Sequence, residues 1–303
     1  MSTQVEILKK KFGSSIRLGE QLSKYSWFNL GGPAEIFFKA NNLSELILFL
    51  KEIKKNQYKK ITLLGAGSNT LIRDGGIEGS VIKLGSAFSF VKLLEQDIIH
   101  VGAATLDKVV SNFATEKSLG NMEFLSCIPG SIGGAIIMNS GCYQNDISKI
   151  LLSIEIINRE GITQEISADK IKFLYRGCNL EKDLIIISAK LKGLKSDRKE
   201  VEEKQANLIK RKKESQPSQV KTCGSTFKNT ENKKAWLLIK ESGCEFMSVG
   251  KAKVSEKHCN FFINEGNASS FDIEELINKV RKKVLEKTGV TMELEINVIG
   301  SNK

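Results

Sequence analysis

The stretch Cys223 to Asn229, CGSTFKN, places Ser225 directly after a glycine and three residues before Lys228. A serine that attacks a substrate needs a base within hydrogen-bond reach. The chain has only two histidines, His100 and His258, and neither is a sequence neighbour of Ser225. Ser225 is therefore either an ordinary loop serine or a group that gives up a proton instead of attacking. Two acids, Glu293 and Glu295, stand two apart in MELEINVIG. Strand alternation puts them on one face, opposite Leu294 and Ile296. Taken alone they read as solvated acids, and Arg176, in YRG, reads as a surface arginine beside an aromatic.

Two glycine stretches suggest a bound anion or a flat ligand. GAGSNTLIRDGG, from Gly65 to Gly76, follows a strand-like run, but Thr70 stands where a dinucleotide fingerprint has its third glycine, and no Gly-Lys-Ser/Thr completes a phosphate loop. Its small residues still leave backbone N–H groups able to converge on a phosphate. CIPGSIGGAIIMNSGCYQND, from Cys127 to Asp146, has almost no side-chain bulk at Pro129, Gly130, Ser131, Gly133 and Gly134. A ligand can approach such a backbone closely. Each stretch alone also reads as a structural turn; together, in one domain, they favour a dinucleotide cofactor.

The elements that must hold these residues are short. NNLSELILFLKEI reads as a helix with Asn42 and Glu45 as a capping box and Leu46, Phe49, Leu50 and Ile53 on one face. KKITLLGAGSN, SVIKL and DIIHVGAA read as strands. TLDKVVSNFATEKSLG reads as a helix with Val109, Val110 and Phe113 inside and Gly120 as its stop. SIEIINREGITQEIS reads as a hairpin around Arg159 to Gly161, and LIIISAKLKGL as a further strand. A charged helical stretch from Ser196 to Lys213, followed by Pro217, marks a domain boundary. Beyond it lie a helix at AWLLIKESG, a strand at CNFFIN, an amphipathic helix at SSFDIEELINKVRKKVLEKTG ending at Gly289, and a last strand, MELEINVIG. Strands and helices mixed without βαβ alternation predict an α+β fold.

Composition narrows the class. A chain of 303 residues, 41% hydrophobic and 27% charged, is a folded globular protein. No apolar run approaches a membrane span, and no secretory signal is read at the start, so a cytoplasmic protein without membrane insertion is expected. The six cysteines never form C-x-x-C, which favours free thiols over disulfides or a metal site. A net charge of +11 invites a nucleic-acid hypothesis. The lysines, however, are scattered, and no basic run interleaves aromatics, so no nucleic-acid partner is expected.

GAGSNTLIRDGG, IPGSIGGAIIMNSGCY, YRG, GSTFKN and ELEINVIG, in that order and preceded by WFNLGGPAEIFFK, closely resemble the motifs of the UDP-N-acetylenolpyruvoylglucosamine reductases. The resemblance runs from about Leu22 to Gly300. It implies noncovalent FAD held in domains of the vanillyl-alcohol-oxidase type (residues 1–57 and 58–210) and a smaller α+β substrate-binding domain (211–303) whose last strand, 291–300, returns to the active site. It implies NADPH as hydride donor and UDP-N-acetylglucosamine enolpyruvate as substrate, and a monomer is expected. Residue by residue, Arg176 and Glu295 match the groups that stabilise developing negative charge, and Ser225 matches the donor of a proton to the α-carbon. Gly65, Gly67, Ser68, Asn69 and the Pro129 to Ala135 loop (Pro129, Gly130, Ser131, Gly133, Gly134, Ala135) match flavin-binding positions; Tyr175, Lys228 and Asn229 match substrate contacts. The chain departs from the family at Thr230, Cys178 and Asn297, and the short span from Arg176 to Ser225 resembles the form that lacks an inserted tyrosine loop. Another FAD-dependent oxidoreductase or oxidase on the same scaffold is the rival expectation.

Overall fold

The computed structural model describes residues 3–55, 60–181 and 183–302. The chain divides into two compact units. Unit 1 comprises residues 1–18, 36–66 and 79–212; unit 2 comprises 19–35, 67–78 and 213–303.

In unit 1 the helix Leu43–Lys55 buries Leu46, Phe49, Leu50 and Ile53, the face its periodicity predicts. Asn42 Oδ1 accepts from the Glu45 N–H at 2.9 Å. The returning carboxylate, however, takes the Asn41 N–H, at 2.7 Å, one residue earlier than in a regular capping box. Phe49 stacks on Phe38 with centroids 3.8 Å apart, and Phe12 meets both edge-on at 5.5 Å. Such pairs add about 1 kcal/mol each beyond the area they bury. Phe38 belongs to strand Pro33–Ala40, which lies in a four-stranded sheet ordered Ile16–Gln21, Pro33–Ala40, Ile77–Leu84, Ile61–Leu63.

The larger core of unit 1 lies under a five-stranded antiparallel sheet ordered Thr163–Ser167, Leu151–Ile157, Ile185–Lys192, Ile98–Gly102, Val91–Leu93. Ile154, Ile99, Val101 and Leu191 are buried there together with Val110 and Ala114 of the helix Asp107–Glu116. That helix differs from its sequence reading. Val109 is 48% exposed, and the buried stripe is Asp107, Val110, Ser111, Ala114 and Thr115. Val110 is buried and Phe113 is half-buried against the same core, so of the three residues expected inside only Val109 lies outside. The helix also stops before Gly120, with Lys117 as its cap and Ser118 at φ 57.

In unit 2 the helix Ser270–Thr288 carries a full capping box between Ser269 and Asp272 and ends at Gly289, whose φ of 69 is the left-handed value glycine tolerates best. It buries Ile273, Leu276, Ile277, Val280 and Val284. A three-stranded antiparallel sheet, Ser248–Val249, Ala252–Val254, Phe262–Asn264, lies in the same unit. Strand Thr70–Ile72 pairs in parallel with Asn297–Ile299. This joins the first glycine stretch to the last strand and explains why residues 67–78 group with the C-terminal part. The division into 1–57, 58–210 and 211–303 is linear, whereas the compact units are discontinuous. Arg73 and Asp74 of the same stretch fasten the long helix. Arg73 bonds Glu274 at 2.8 to 3.2 Å, and Asp74 accepts the Ser270 N–H at 2.9 Å.

Candidate active site

In unit 2 the segments around Ser225 and Glu295 meet as a short antiparallel pair. Phe227 lies opposite Leu294, the Glu295 N–H donates to the Thr226 carbonyl at 2.9 Å, and the Lys228 N–H donates to the Glu293 carbonyl at 2.9 Å. On its other edge, Ser225 bridges to Phe261. Asn260 completes this edge. Its carbonyl accepts from the Thr226 N–H at 2.7 Å, its Oδ1 accepts from the Phe227 N–H at 2.9 Å, and its Nδ2 donates to the Phe227 carbonyl at 2.8 Å. Asn69 grips the opposite strand, donating from Nδ2 to the Glu295 carbonyl at 3.0 Å and accepting from the Asn297 N–H at 2.9 Å. The serine and the acid thus lie on adjoining segments joined by the backbone bonds of Thr226 and Lys228. No histidine bonds the Ser225 hydroxyl among the described residues, so no base is positioned to make it a nucleophile.

Lys228 leans toward Glu293, with Nζ to Oε2 at 3.4 Å, the acid being 76% exposed. Asn229 Oδ1 accepts from the Ala235 N–H at 2.9 Å at the start of helix Ala235–Glu241.

In unit 1 Tyr175 and Arg176 are the two central residues of a hairpin turn between Phe173–Leu174 and Gly177–Cys178. Arg176 sits at φ 59, a left-handed value that costs a non-glycine residue about 1 kcal/mol. Its Nη2 donates to the Gly141 carbonyl at 2.9 Å, and its guanidinium lies 5.0 Å from the Tyr175 ring centroid. The buried Asn139 supports the turn, donating from Nδ2 to the Leu174 carbonyl at 3.2 Å and accepting from the Ser148 N–H at 3.2 Å. Neither Asn139 nor Asn260 stood out in sequence. The one available signal was an asparagine beside an apolar run, which side-chain-to-backbone bonding makes useful at turns and edges.

The glycine positions differ in what a side chain there would meet. A Cβ at Gly67 would lie 1.8 Å from the Tyr25 carbonyl, so this glycine is required by chain packing. At Gly133 it would meet Ala103, and the N–H groups of Ile132 and Gly133 are already given to Thr105 and Ala103. Gly65 and Gly134 are both exposed, and a Cβ at either would meet only Ser131 Oγ, at 3.2 and 3.7 Å. The two stretches therefore come together at Ser131 with uncovered backbone on either side. Lys83 Nζ donates to the Gly65 carbonyl at 2.6 Å. Its burial, with Lys39 nearby, holds its pKa below the ordinary lysine value. Beneath Gly130 lies the fully buried Asp107, whose Oδ2 would be 2.7 Å from a Cβ at that glycine. Neither carboxylate oxygen has a hydrogen-bond partner among the described residues, and desolvation pushes its pKa well up. Open glycine backbone, a nearby cation and a buried polar group short of hydrogen bonds fit an extended anionic cofactor along Gly65, Ser131 and Gly134. Pro129 is half-buried and Ala135 buried at the two ends of this loop; Ser68 is half-buried beside Gly67.

All six cysteines are free thiols. Among the described residues no cluster of metal-ligating side chains occurs, and no helix is long and apolar enough to cross a membrane.

Residues 34–167 match the family model of an FAD binding domain, and residues 216–299 that of the C-terminal domain of UDP-N-acetylenolpyruvoylglucosamine reductase. The reductase of that name from Pelagibacter ubique is 44% identical over 299 residues, 98% of each chain, and that of Orientia tsutsugamushi strain Ikeda is 41% identical over 303 residues, 99% of each. The crystal structure of UDP-N-acetylenolpyruvylglucosamine reductase from Thermus caldophilus, 28% identical, superposes with a TM-score of 0.82 over 94% of this chain and all of that one. The chain belongs to the UDP-N-acetylenolpyruvoylglucosamine reductase family and is an FAD-dependent oxidoreductase that takes its hydride from NADPH.

Proposed function

We propose that Ser225 protonates, and that Arg176 and Glu295 stabilise, the carbanion formed when this enzyme reduces UDP-N-acetylglucosamine enolpyruvate to UDP-N-acetylmuramate. FAD held by this chain would supply the hydride chemistry, carrying a hydride from NADPH to the enolpyruvyl double bond. Addition at the methylene carbon pushes negative charge onto the α-carbon and its carboxylate. Arg176 meets that charge as a cation, and Glu295 as a hydrogen-bonding acid. The α-carbon then takes a proton from Ser225 Oγ. A serine is a weak acid, so the transfer depends on a strongly basic carbanion and on placement. Gly65, Gly67, Ser68, Asn69 and the Pro129 to Ala135 loop hold the cofactor, while Tyr175, Lys228 and Asn229 contact the substrate. The product enters peptidoglycan synthesis, and through it cell shape and division. The enzyme works as a monomer in the cytoplasm, where UDP-sugars and NADPH are found.

The observation that supports this reading best is the backbone pairing that sets Glu295 beside Thr226, one residue from a serine with no histidine base. The test is anaerobic and split in two. Ser225→Ala should leave flavin bleaching by NADPH nearly intact while slowing recovery of the yellow colour with the enolpyruvyl substrate about a hundredfold or more. Equal loss in both halves would contradict the proton-donor role, and recovery with oxygen but not with the UDP-sugar would favour an oxidase.

A further inference from the structure

The parallel pairing of strands Ile61–Leu63 and Ile77–Leu84 closes with the Leu64 N–H on the Ile82 carbonyl at 2.9 Å. One residue further on, a side chain takes over from the backbone: Lys83 Nζ donates to the Gly65 carbonyl at 2.6 Å, at the first residue of the glycine stretch. Strand alternation puts Lys83 there. Ile82 is fully buried in the core, and Lys83 leaves from the opposite face, half-buried. Lys39, on the adjacent strand Pro33–Ala40, follows Phe38 of the same core in the same alternation, and its charge acts on Lys83. Two cations therefore gather beside one glycine turn.

The bond to Gly65 also orients the next residue. The described chain has no cis peptide, and in a trans peptide the C=O and N–H point to opposite sides. With the Gly65 carbonyl turned to Lys83, the Ala66 N–H faces away from Lys83, and among the described residues it donates to no protein acceptor. A cation on the carbonyl polarises the peptide and makes that N–H a stronger donor. Gly65 itself is exposed, and a Cβ there would meet only Ser131 Oγ, at 3.2 Å, so a ligand can lie against this backbone.

We propose that Lys83 is a positioning residue for the cofactor: by holding the Gly65 carbonyl it presents the Ala66 N–H to the diphosphate of FAD, and its charge, with that of Lys39, favours the anion there. This rests on the reading above that the Gly65 stretch holds the cofactor. It adds to that stretch a residue of another strand, which no glycine motif marks. An ammonium is suited to the task because it donates a hydrogen bond and carries charge at once. Two like charges gathered at one turn oppose each other, and a bound diphosphate relieves that repulsion.

The test follows FAD release from the full-length holoenzyme on serial dilution, read by the fluorescence of free flavin, with the melting of the flavin-free chain read by circular dichroism. Lys83→Met should weaken FAD binding about tenfold, the loss expected for a charge-assisted hydrogen bond. Lys83→Arg, which keeps donor and charge, should stay within about threefold of the wild type. The flavin-free chains should melt within about 2 °C of one another, because Lys83 acts on an exposed turn and not on a core. Should Lys83→Met fail to fold, Lys83→Gln carries the same expectation. A Lys83→Met enzyme that holds FAD within about twofold of the wild type, an arginine variant no better than the methionine one, or a melting temperature that falls in step with affinity would each overturn the positioning role. Gly65→Leu, which covers the open backbone, should also release FAD. If it does while Lys83→Met does not, the role of Lys83 alone falls; if Gly65→Leu holds FAD as tightly as the wild type, the cofactor does not run along this stretch and both readings fall.

Discussion

The strand pair that carries Ser225 and Glu295 and the turn that carries Arg176 hold their residues by opposite means. Ser225 and Glu295 ride on a backbone ladder, braced at one edge by Asn260 and at the other by Asn69. Arg176 projects from a two-residue turn in a left-handed conformation, its Nη2 bonded to the Gly141 carbonyl. Ladder bonds are short-range and cooperative, and they hold the backbone that carries the proton donor. A guanidinium stabilises charge over a broader range and tolerates a softer mount. The chemistry asked of each residue matches the rigidity it receives: proton transfer depends steeply on placement, whereas charge stabilisation does not.

The sharpest way to break this comparison is at the softer end. Arg176→Gln removes the charge along with the planar fork that reaches the Gly141 carbonyl. Its substrate half-reaction should slow about a hundredfold, with NADPH reduction of the flavin unchanged, as read by stopped-flow absorbance. A loss below about fivefold would mean that the Arg176 charge is not what meets the carbanion.

The two buried asparagines allow a more even contest. Asn260→Ala removes two bonds to Phe227 and leaves a buried N–H and C=O without them, so it should cost about 2 to 3 kcal/mol in urea unfolding and about tenfold in kcat. Asn139→Ala removes one bond to the hairpin, at 3.2 Å, and should cost about 1 kcal/mol and a few-fold in kcat. If Asn139→Ala proves the more damaging in kcat, the turn is the more precisely held of the two regions.

The sequence made the local parts of this arrangement readable and the long-range parts not. Ser269, Asp272 and Gly289 frame the helix Ser270–Thr288 where their types place its ends, because capping is decided within a few residues. The pairing of Phe227 with Leu294 has no such local signal. Each partner is a few residues long, and their register is fixed only when Asn260 and Asn69 close on them. The same holds for the parallel pair Thr70–Ile72 and Asn297–Ile299, which a linear division at 57/58 and 210/211 has no means to anticipate. Val109 failed for a different reason. Val109 and Val110 are equally apolar neighbours and helical spacing lets Phe113 accompany either, so only packing decides which valine is buried. Of the residues expected to hold the flavin, the motif types were legible, but which glycines face open space and which face their own chain was not: Gly67 and Gly134 are indistinguishable as letters and opposite in surroundings.

The smallest expected effect tests the exposed edge of the strand pair. Lys228 is held near Glu293 at 3.4 Å across a largely solvated gap, and such pairs are worth below about 1 kcal/mol. Glu293→Gln should therefore leave stability within about 0.5 kcal/mol of the wild type. Removing that acid frees Lys228 for an anionic substrate and lifts a negative charge from its approach, so KM for the UDP-sugar should fall about two- to threefold while kcat stays constant. High salt should erase the difference, because both contributions are screened. A change in kcat instead would mean that Glu293, one residue removed on each side from the buried Met292 and the ladder-bound Leu294, takes part in setting the register on which Glu295 depends, and the rigid half of the comparison would then extend to the surface.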